Sequence, residues 1–336
     1  MDYRLFGSTG VKVSEVVMGT QTWGWVADEK TSHEMADRFV AAGGNCFDSA
    51  NIYNEGVSET MLGTWLRKKG NRDDFFVNSK VFFPAGAGVN DSGLSRKHIL
   101  KQIDGSLKRL QTDYIDLYQT HCHDYTTRME ETLQAFDDLV RSGKVRYVGI
   151  SNWSPSQLAT ALQIARCRGW SPIVSLQAEF SLIVRSSEWE LIPLCERENL
   201  AFLAWSPLAG GWMTAKYRKN QKPPENSRVG RQDRWDDQPE QRDGEHTWRV
   251  VDALLELSKE FGKSPAQIAL NWILRQSSRI TPIIGARTLE QLEENLGSTG
   301  WSLSDDALAV LDRASGVPLP YPYRFIKRYA KRGEAD

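Results

Sequence analysis

The sequence predicts an α/β fold, a (β/α)8 TIM barrel with an N-terminal hairpin and a long loop before the last strand. Eight short apolar runs alternate with eight amphipathic helical stretches, an order typical of βα units around a parallel sheet. No GxGxxG fingerprint follows the first run, which disfavours the alternative, a doubly wound sheet. The length of 336 residues is compatible with one barrel domain over residues 1–336, because such barrels reach about 250 residues or more.

Each element follows from a local pattern. The predicted strands are the apolar runs 16–20, 45–50, 75–81, 114–121, 145–151, 173–177, 201–206 and 281–286. The predicted helices lie near residues 30–43, 57–69, 95–110, 128–142, 154–169, 187–199, 247–275 and 288–296. Ser95 opens one helix, and Ser154 and Ser264 each precede a proline, a capping residue followed by a residue suited to the first helical position.

Two segments lie outside this alternation. Residues 3–14, with a turn at residues 7–10, predict a hairpin that covers the bottom of the barrel. Residues 211–245 are rich in Pro, Gln, Asp and Arg and have no helix or strand period. A disordered insertion would have such a composition, but we favour a lid over a ligand at the strand ends.

Composition limits the class of partner. The 42 Lys and Arg are balanced by 43 Asp and Glu, so no net field attracts the whole molecule to nucleic acid or an anionic membrane. No segment approaches 18 uncharged apolar residues, and no basic region followed by an apolar stretch opens the chain. Cys46, Cys122, Cys167 and Cys195 lack CxxC spacing, so we expect buried free thiols of a cytoplasmic protein without a metal site.

Four polar residues close or follow predicted strands. Asp48, Lys80 and His121 end apolar runs, and Tyr53 follows Asp48 in the next loop. Active sites of such barrels lie at the carboxyl ends of the strands. Singly, each residue has an ordinary structural explanation. Together they suit proton transfer, because a cationic Lys80 lowers the pKa of a tyrosine, Asp48 would pair with Lys80, and a neutral His121 could donate to a carbonyl oxygen.

A family resemblance covers residues 3 to 315. It rests on GGNCFDSANIYNEGVSETMLG, FVNSKV, LKRLQTDYIDLYQTHCHD, VRYVGISN, LQAEFSL, WSPLAGG and PIIGARTLEQLEENL. With Asp48, Tyr53, Lys80 and His121 at these positions, the chain resembles the aldo-keto reductase superfamily. WSPLAGG followed by AKY is most similar to the branch with bacterial reductases and potassium-channel beta subunits.

The resemblance implies reversible hydride transfer between NADP(H) and a carbonyl or alcohol substrate. Tyr53 would be the general acid in reduction and the general base in oxidation, with no metal needed. The implied cofactor contacts are Gly19, Thr20, Gln21 and Asp48 below the cofactor; Ser151, Asn152, Gln177 and Trp205 at the nicotinamide; Ser206, Pro207, Leu208, Ala209 and Gly210 at the pyrophosphate; and Lys216, Arg228, Gly285, Ala286, Arg287, Gln291, Glu294 and Asn295 at the adenosine end.

The physical pattern at residues 285–291 agrees with a phosphate site. The eighth predicted strand ends at Gly285-Ala286-Arg287 and a helix follows, so backbone N–H groups face a ligand. Many relatives carry lysine where this chain has Gly285. We nevertheless expect a preference for NADP(H), because Arg287, with Lys216 or Arg228, can pair with a 2′-phosphate.

Two function classes remain open. The first is an enzyme, and the second is a cofactor-binding regulatory subunit of a partner protein. The channel subunits depart at the histidine position, and this chain keeps His121, which favours the enzyme. The substrate would be an aldehyde or ketone, with aryl and sugar-derived carbonyls as candidates; oligomeric state is left open. The residues suggested for an aromatic-walled substrate pocket are Trp23, Trp25, Phe82, Phe83, Tyr125 and Trp212.

Overall fold

The computed structural model describes residues 1–225, 227–230 and 242–330. Eight parallel strands, β3 to β10, form a closed barrel in which β10 pairs with β3, so the predicted (β/α)8 TIM barrel is confirmed. The strands are β3 Val17–Gly19, β4 Cys46–Asp48, β5 Phe76–Val81, β6 Ile115–Thr120, β7 Val145–Ser151, β8 Ile173–Glu179, β9 Ala201–Trp205 and β10 Ile280–Ile284.

Helices surround the barrel, and most of them follow the strand that they were predicted to follow. They are α1 Glu29–Ala41, α2 Val57–Lys69, α3 Arg96–Leu110, α4 Met129–Arg141, α5 Pro155–Arg168, α6 Leu191–Arg197, α7 Glu245–Phe261, α8 Pro265–Gln276, α9 Leu289–Leu296, α10 Asp305–Ser315 and α11 Tyr323–Tyr329. Short 3-10 turns lie at Tyr53–Gly56, Arg72–Asp74, Ser186–Glu188 and Ala209–Thr214.

The prediction of one helix over residues 247–275 is wrong. Two helices, α7 and α8, occupy this region. Gly262 ends α7 with a φ of 61°, a left-handed backbone that suits glycine. Ser264 then begins α8 with a capping box, in which its side chain accepts from the Gln267 N–H and the Gln267 side chain accepts from the Ser264 N–H. A stop signal and a start signal two residues apart therefore divide the apolar pattern.

Smaller differences concern the ends of the chain's elements. Helix α6 is shorter than residues 187–199 because a 3-10 turn takes Ser186–Glu188, and α10 and α11 follow the last predicted helix.

Cys46 and Cys195 are buried free thiols as expected, but Cys122 is only partly buried and Cys167 is exposed. Part of the predicted lid, residue 226 and residues 231–241, lies outside the described residues, so the lid stays a prediction.

The hairpin of β1 Tyr3–Leu5 and β2 Lys12–Ser14 fills the amino-terminal end of the barrel. Phe6 is 1% exposed and its ring centroid lies 4.8 Å from that of Phe76, in the first position of β5. The φ of Gly7 is 56°, and a Cβ there would lie 2.9 Å from the backbone N of Ala201. Glycine thus lets the turn close over the strand ends. The hairpin thus closes the amino-terminal end of the barrel, and active sites of such barrels lie at the carboxyl-terminal mouth.

Candidate active site

A cavity of about 840 Å³ opens among the carboxyl ends of the strands. Gly19 from β3, Asp48 from β4, Gln177 from β8 and Trp205 from β9 are among its lining residues. Within the described part of the chain, no three His, Cys, Asp or Glu side chains are grouped to hold a metal ion. In the same part, no helix combines the length and apolarity needed to cross a membrane.

Asp48, Tyr53 and Lys80 meet at the floor of this cavity. Lys80 Nζ donates to Asp48 Oδ2 at 2.6 Å and to the carbonyl oxygen of Ser49 at 2.8 Å. It also donates to the Tyr53 hydroxyl at 3.2 Å. The Lys80 and Asp48 side chains are 0% and 3% exposed, so this pair is fully desolvated. Gln177 Nε2 donates to the other carboxylate oxygen of Asp48 at 2.9 Å, which fixes the carboxylate on both sides.

The pKa values of Tyr53 and Lys80 are both raised. Burial raises the pKa of Tyr53 above its usual 10.0, and the opposing influence of Lys80 is smaller. Burial alone would lower the pKa of Lys80, but Asp48 and then Tyr53 outweigh it, so the pKa is raised. The expectation that Lys80 lowers the tyrosine pKa describes a real contribution, yet the net direction is the opposite. At neutral pH the site therefore has a protonated tyrosine and a charged lysine.

His121 stands across the cavity from Tyr53. Their ring centroids are 5.7 Å apart, and the Phe83 ring lies edge-on at 4.9 Å from the imidazole. Burial, followed by the charge of Lys80, holds the pKa of His121 well below its usual 6.5. The imidazole is thus neutral at neutral pH and keeps one N–H to donate. This agrees with the role expected for it.

The Asn152 side chain, just after β7, links the residue that follows β6 with the last residue of β9. Asn152 Nδ2 donates to the carbonyl oxygen of His121 at 2.9 Å, and Trp205 Nε1 donates to Asn152 Oδ1 at 3.0 Å. Asn152 has a φ of 57°, so the chain turns sharply after β7. Ser151 pairs with Gln177 in the sheet register, and its buried Oγ has no hydrogen-bond partner in the described part of the chain. Of these residues, Asn152, Gln177 and Trp205 line the cavity, and the two amide side chains could hold a planar amide.

The loop after β9 follows the cavity wall with an unusual backbone. Ser206, Ala209, Gly210 and Gly211 all have positive φ, between 48° and 98°. Such left-handed positions next to right-handed ones can form concavities that bind anions through backbone N–H groups. The arrangement could hold a pyrophosphate.

The far end of the cavity is rich in cations. Lys216, Arg228 and Arg287 line the cavity, and Arg242, which also lines it, donates to Glu179 Oε1 at the end of β8 at 2.9 Å. Arg228 Nη2 lies 3.4 Å from Gln21 Oε1, so this contact spans from the loop after β9 to the loop after β3. At the start of α9, Gln291 accepts from the Arg287 N–H at 3.1 Å. This end could hold a phosphate.

Most of the predicted cofactor contacts line this one cavity. Four do not: Thr20, Ser151, Ala209 and Ala286 are buried behind the wall. Thr20 donates instead to the Asp48 carbonyl, and Ala286 accepts from Thr22 Oγ1. The lining residues that the sequence did not suggest are Thr22, Ile52, Cys122, Glu179, Gly211, Thr214, Arg242, Ile283 and Ile284. The strand-end rule could have found Glu179 and Ile284, which end β8 and β10.

The aromatic residues suggested for the substrate pocket divide into two groups. Trp25 and Phe83 line the cavity. For the other four the prediction is wrong. Trp23 is wholly buried in the core, and Phe82 packs against the core and Phe83. Trp212 packs on Tyr217 and Trp248, and Tyr125 is 87% exposed and contacts His123. The direction of a side chain on a loop depends on the folded backbone, which the sequence pattern did not provide.

Comparisons with known proteins agree with this geometry. A family model described as the Aldo/keto reductase family matches residues 15–315. The chain is 37% identical over 321 residues to the uncharacterized oxidoreductase YrpG of Bacillus subtilis (strain 168), covering 93% of this chain and 95% of that protein. It is 31% identical over 335 residues to the norsolorinic acid reductase of Aspergillus flavus, with coverage of 96% and 83%. A probable voltage-gated potassium channel subunit beta of Oryza sativa subsp. japonica is 36% identical over 300 residues, with coverage of 88% and 90%. The chain therefore belongs to the aldo/keto reductase family of oxidoreductases.

Proposed function

We propose that this protein is an NADP(H)-dependent oxidoreductase that reduces aldehydes or ketones to alcohols, with Asp48, Tyr53, Lys80 and His121 as its catalytic residues. The observation that carries the proposal is the contact between Lys80 Nζ and the Tyr53 hydroxyl at 3.2 Å. It occurs in a desolvated group that opens into a cavity large enough for a dinucleotide and a small substrate.

The proton chemistry follows from the charges in this group. Tyr53 is protonated at neutral pH because its pKa is raised by burial, so it can give a proton to a carbonyl oxygen during reduction. Lys80, held charged by Asp48, stabilises the phenolate left behind. Neutral His121 can donate a second hydrogen bond to the same oxygen.

The residues that line the cavity fit a nicotinamide dinucleotide. The amide groups of Asn152 and Gln177, which line the cavity, would hold the carboxamide, and Trp205 would lie against the ring. The left-handed loop after β9 would hold the pyrophosphate. When bound, the reduced cofactor supplies the hydride for the carbonyl carbon. Asp48 and Gln177, which are hydrogen-bonded to each other, would orient the nicotinamide and the substrate carbonyl from below.

The charge at the far end supports NADP(H) over NAD(H). Lys216, Arg228 and Arg287 lie on the cavity wall, where a 2′-phosphate would gain charge-assisted hydrogen bonds. A Cβ at Gly285 would meet no atom within 4 Å, so the glycine leaves room at the position where many relatives carry lysine. On the substrate side, Trp25, Ile52 and Phe83 make the wall largely apolar.

A cofactor-binding regulatory subunit is the second candidate, supported by the likeness to the rice protein named as a channel beta subunit. Both classes would bind NADPH in the same cavity. Only the enzyme requires the neutral His121 opposite Tyr53, and this chain has that pair.

The test is NADPH oxidation at 340 nm against a panel of aromatic and aliphatic aldehydes and ketones, with Tyr53→Phe as the control variant. We expect turnover with the wild type and a loss of roughly 10²- to 10⁴-fold in kcat with Tyr53→Phe. NADPH affinity, measured by fluorescence titration, should be nearly equal in both proteins. NADPH binding without turnover on any carbonyl would contradict the enzyme and favour the regulatory subunit.

A further inference from the structure

The carboxylate of Asp124 is an unusual centre of hydrogen bonds beside the cavity. Asp124 lies three residues after His121 and is 8% exposed. Its Oδ1 accepts from the N–H and the hydroxyl of Thr126 at 2.8 and 2.6 Å. Its Oδ2 accepts from the Leu94 N–H at 2.7 Å and the Thr127 hydroxyl at 2.8 Å. Within the described ranges no cation pairs with it, so these four dipoles compensate the charge.

The bond to Leu94 joins two different loops of the barrel mouth. Leu94 ends the loop between β5 and α3, whereas Asp124 belongs to the loop between β6 and α4. The contact requires Gly93, since a Cβ there would lie 2.7 Å from Asp124 Oδ2 and its φ is 84°. Thr132 Oγ1, on α4, donates to the Leu94 carbonyl at 3.1 Å. The N–H and the carbonyl of Leu94 are therefore both bonded to the β6–α4 part of the chain.

The two joined loops contain residues that line the cavity where the substrate would bind. The Gly93 N–H donates to the Phe82 carbonyl at 2.7 Å, which closes the first loop just before Phe83. Phe83 lines the cavity and contacts His121 with a ring distance of 4.9 Å. His121 and Cys122, on the second loop, also line the cavity. Asp124 itself does not.

We propose that Asp124 is a positioning residue that fixes Phe83 and His121 relative to each other by tying their two loops together. This inference rests on the proposed function, because its consequence is placement of a carbonyl substrate. Burial raises the pKa of Asp124, but the hydrogen bonds from Thr126, Leu94 and Thr127 lower it to about 2, so the group only accepts throughout the neutral range. Because His121 and Phe83 both face the cavity, a shift between the loops changes substrate placement and leaves the dinucleotide end untouched.

The variant that tests this is Asp124→Asn. The Leu94 and Thr126 N–H groups bond different oxygens of the carboxylate, and in asparagine one of these positions becomes an NH2 group that cannot accept. The matched control is Asp137→Asn on α4. Asp137 is 4% exposed, and its Oδ1 accepts from the N–H and hydroxyl of Ser171, both at 2.8 Å, just before β8 at the opposite end of the barrel. Unlike Asp124, it also has a cation partner, since its Oδ2 accepts from Nε of the exposed Arg141 at 2.6 Å. Thr127→Val, which removes one donor, is the milder second variant.

We expect Asp124→Asn to lower kcat/KM for carbonyl substrates by roughly 10- to 100-fold, the loss that a displacement near 1 Å can cause, with a higher KM and no change in the Kd for NADPH. Thr127→Val should shift the KM in the same direction by less. Asp137→Asn should lower the unfolding midpoint comparably and leave all three constants unchanged. Equal effects of the two asparagine variants on the KM, or no effect of either, would overturn the proposal.

A second measurement does not need turnover. Hydrogen exchange followed by mass spectrometry should show faster exchange in residues 82–94 and 121–123 of Asp124→Asn, and not in Asp137→Asn. A change confined to Leu94, with the rest of both loops protected, would overturn the tie between them. Should the wild type bind NADPH without reducing any carbonyl, the proposed function fails, while the exchange comparison still decides whether Asp124 couples the two loops.

Discussion

Lys80 Nζ lies 2.6 Å from Asp48 Oδ2, and both side chains are shielded from water. Two opposite charges without solvent stabilise each other only as a pair, because removing one leaves the other buried and uncompensated. The raised pKa of Lys80, to which Asp48 is the largest positive contribution, expresses the same dependence. The pair is therefore both a structural element and the group that keeps a charge next to Tyr53.

We predict that Asp48→Asn lowers the free energy of unfolding by about 3–5 kcal/mol at neutral pH, the usual cost of breaking a buried pair. A lysine whose pKa is raised on folding stabilises the fold below its usual value of 10.5 and loses that contribution as the pH rises through the raised pKa. The difference in free energy of unfolding between the wild type and Asp48→Asn should therefore have its full size at pH 7 and become smaller in strong alkali. Urea unfolding of both proteins across this pH range measures it.

The control for this variant is Asp104→Asn. Asp104 pairs with Lys144 at 2.7 Å, but the two side chains are 64% and 41% exposed. Such a surface pair contributes at most about 1 kcal/mol. If the two variants lost equal stability, desolvation would not be the reason for the strength of the Asp48–Lys80 pair.

The barrel could be predicted from the sequence because its apolar runs are short and regularly spaced. Each of the eight strands falls on a predicted run, and the four polar residues that end or follow these runs meet in space. A parallel barrel brings all carboxyl ends to one mouth. The residues that converge there could therefore be predicted without coordinates.

The failures have physical reasons as well. The pKa of Tyr53 is raised because the effect of burial is larger than the lowering effect of Lys80. A strand pattern does not indicate how deeply a loop side chain is buried. Trp23 and Trp25 are two residues apart, yet only Trp25 reaches the cavity. Arg242 lies 63 residues after Glu179 in the sequence, yet its Nη2 donates to Glu179 Oε1 at 2.9 Å, and no local pattern in the sequence indicates such a distant contact.

We predict that kcat for carbonyl reduction shows no acid limb near pH 6.5. The pKa of His121 lies well below that value because of burial and Lys80, so the imidazole stays neutral as the pH falls through 6.5. The pKa of Tyr53 lies above 10.0, so the proton donor is retained up to alkaline pH. A pH profile of kcat at saturating NADPH measures both limbs. An acid limb centred near the ordinary histidine pKa would mean that a charged imidazole forms readily in the site.

We predict that Arg287→Ala weakens NADPH binding by about 10- to 100-fold, since a hydrogen bond to a charged group contributes about 1.5–3 kcal/mol. NADH, which lacks the 2′-phosphate, should bind about as before. Fluorescence titration with both cofactors measures the ratio. Arg38→Ala is the control, because Arg38 pairs with Glu293 on α9 and does not line the cavity. An equal loss for NADPH and NADH would show that Arg287 does not read the 2′-phosphate.

We predict that Gly63→Ala destabilises the fold by up to about 2 kcal/mol, because overpacking costs about 1–3 kcal/mol and the helix propensity of alanine offsets about 1 kcal/mol of it. Gly63 lies in α2, where the backbone meets the end of α3, and an added Cβ would lie 2.7 Å from Leu110 Cα and closer still to the Arg109 carbonyl. Alanine has the better helix propensity by about 1 kcal/mol. That gain is smaller than the cost because the atoms in the way belong to the backbone and cannot turn aside.

Gly105→Ala in α3 is the matched control, measured with Gly63→Ala by urea unfolding. A Cβ at Gly105 would lie 3.1 Å from Arg109 Nη1, so the guanidinium, whose Nε and Nη2 donate to Glu59 and Ser106, needs to shift by only a few tenths of an ångström while the backbone stays in place. The helix propensity of alanine should therefore decide the outcome there, and the variant should be as stable as the wild type or more so by up to about 1 kcal/mol. Equal changes in the two variants would mean that helix propensity, and not the contact between α2 and α3, governs the substitution at Gly63.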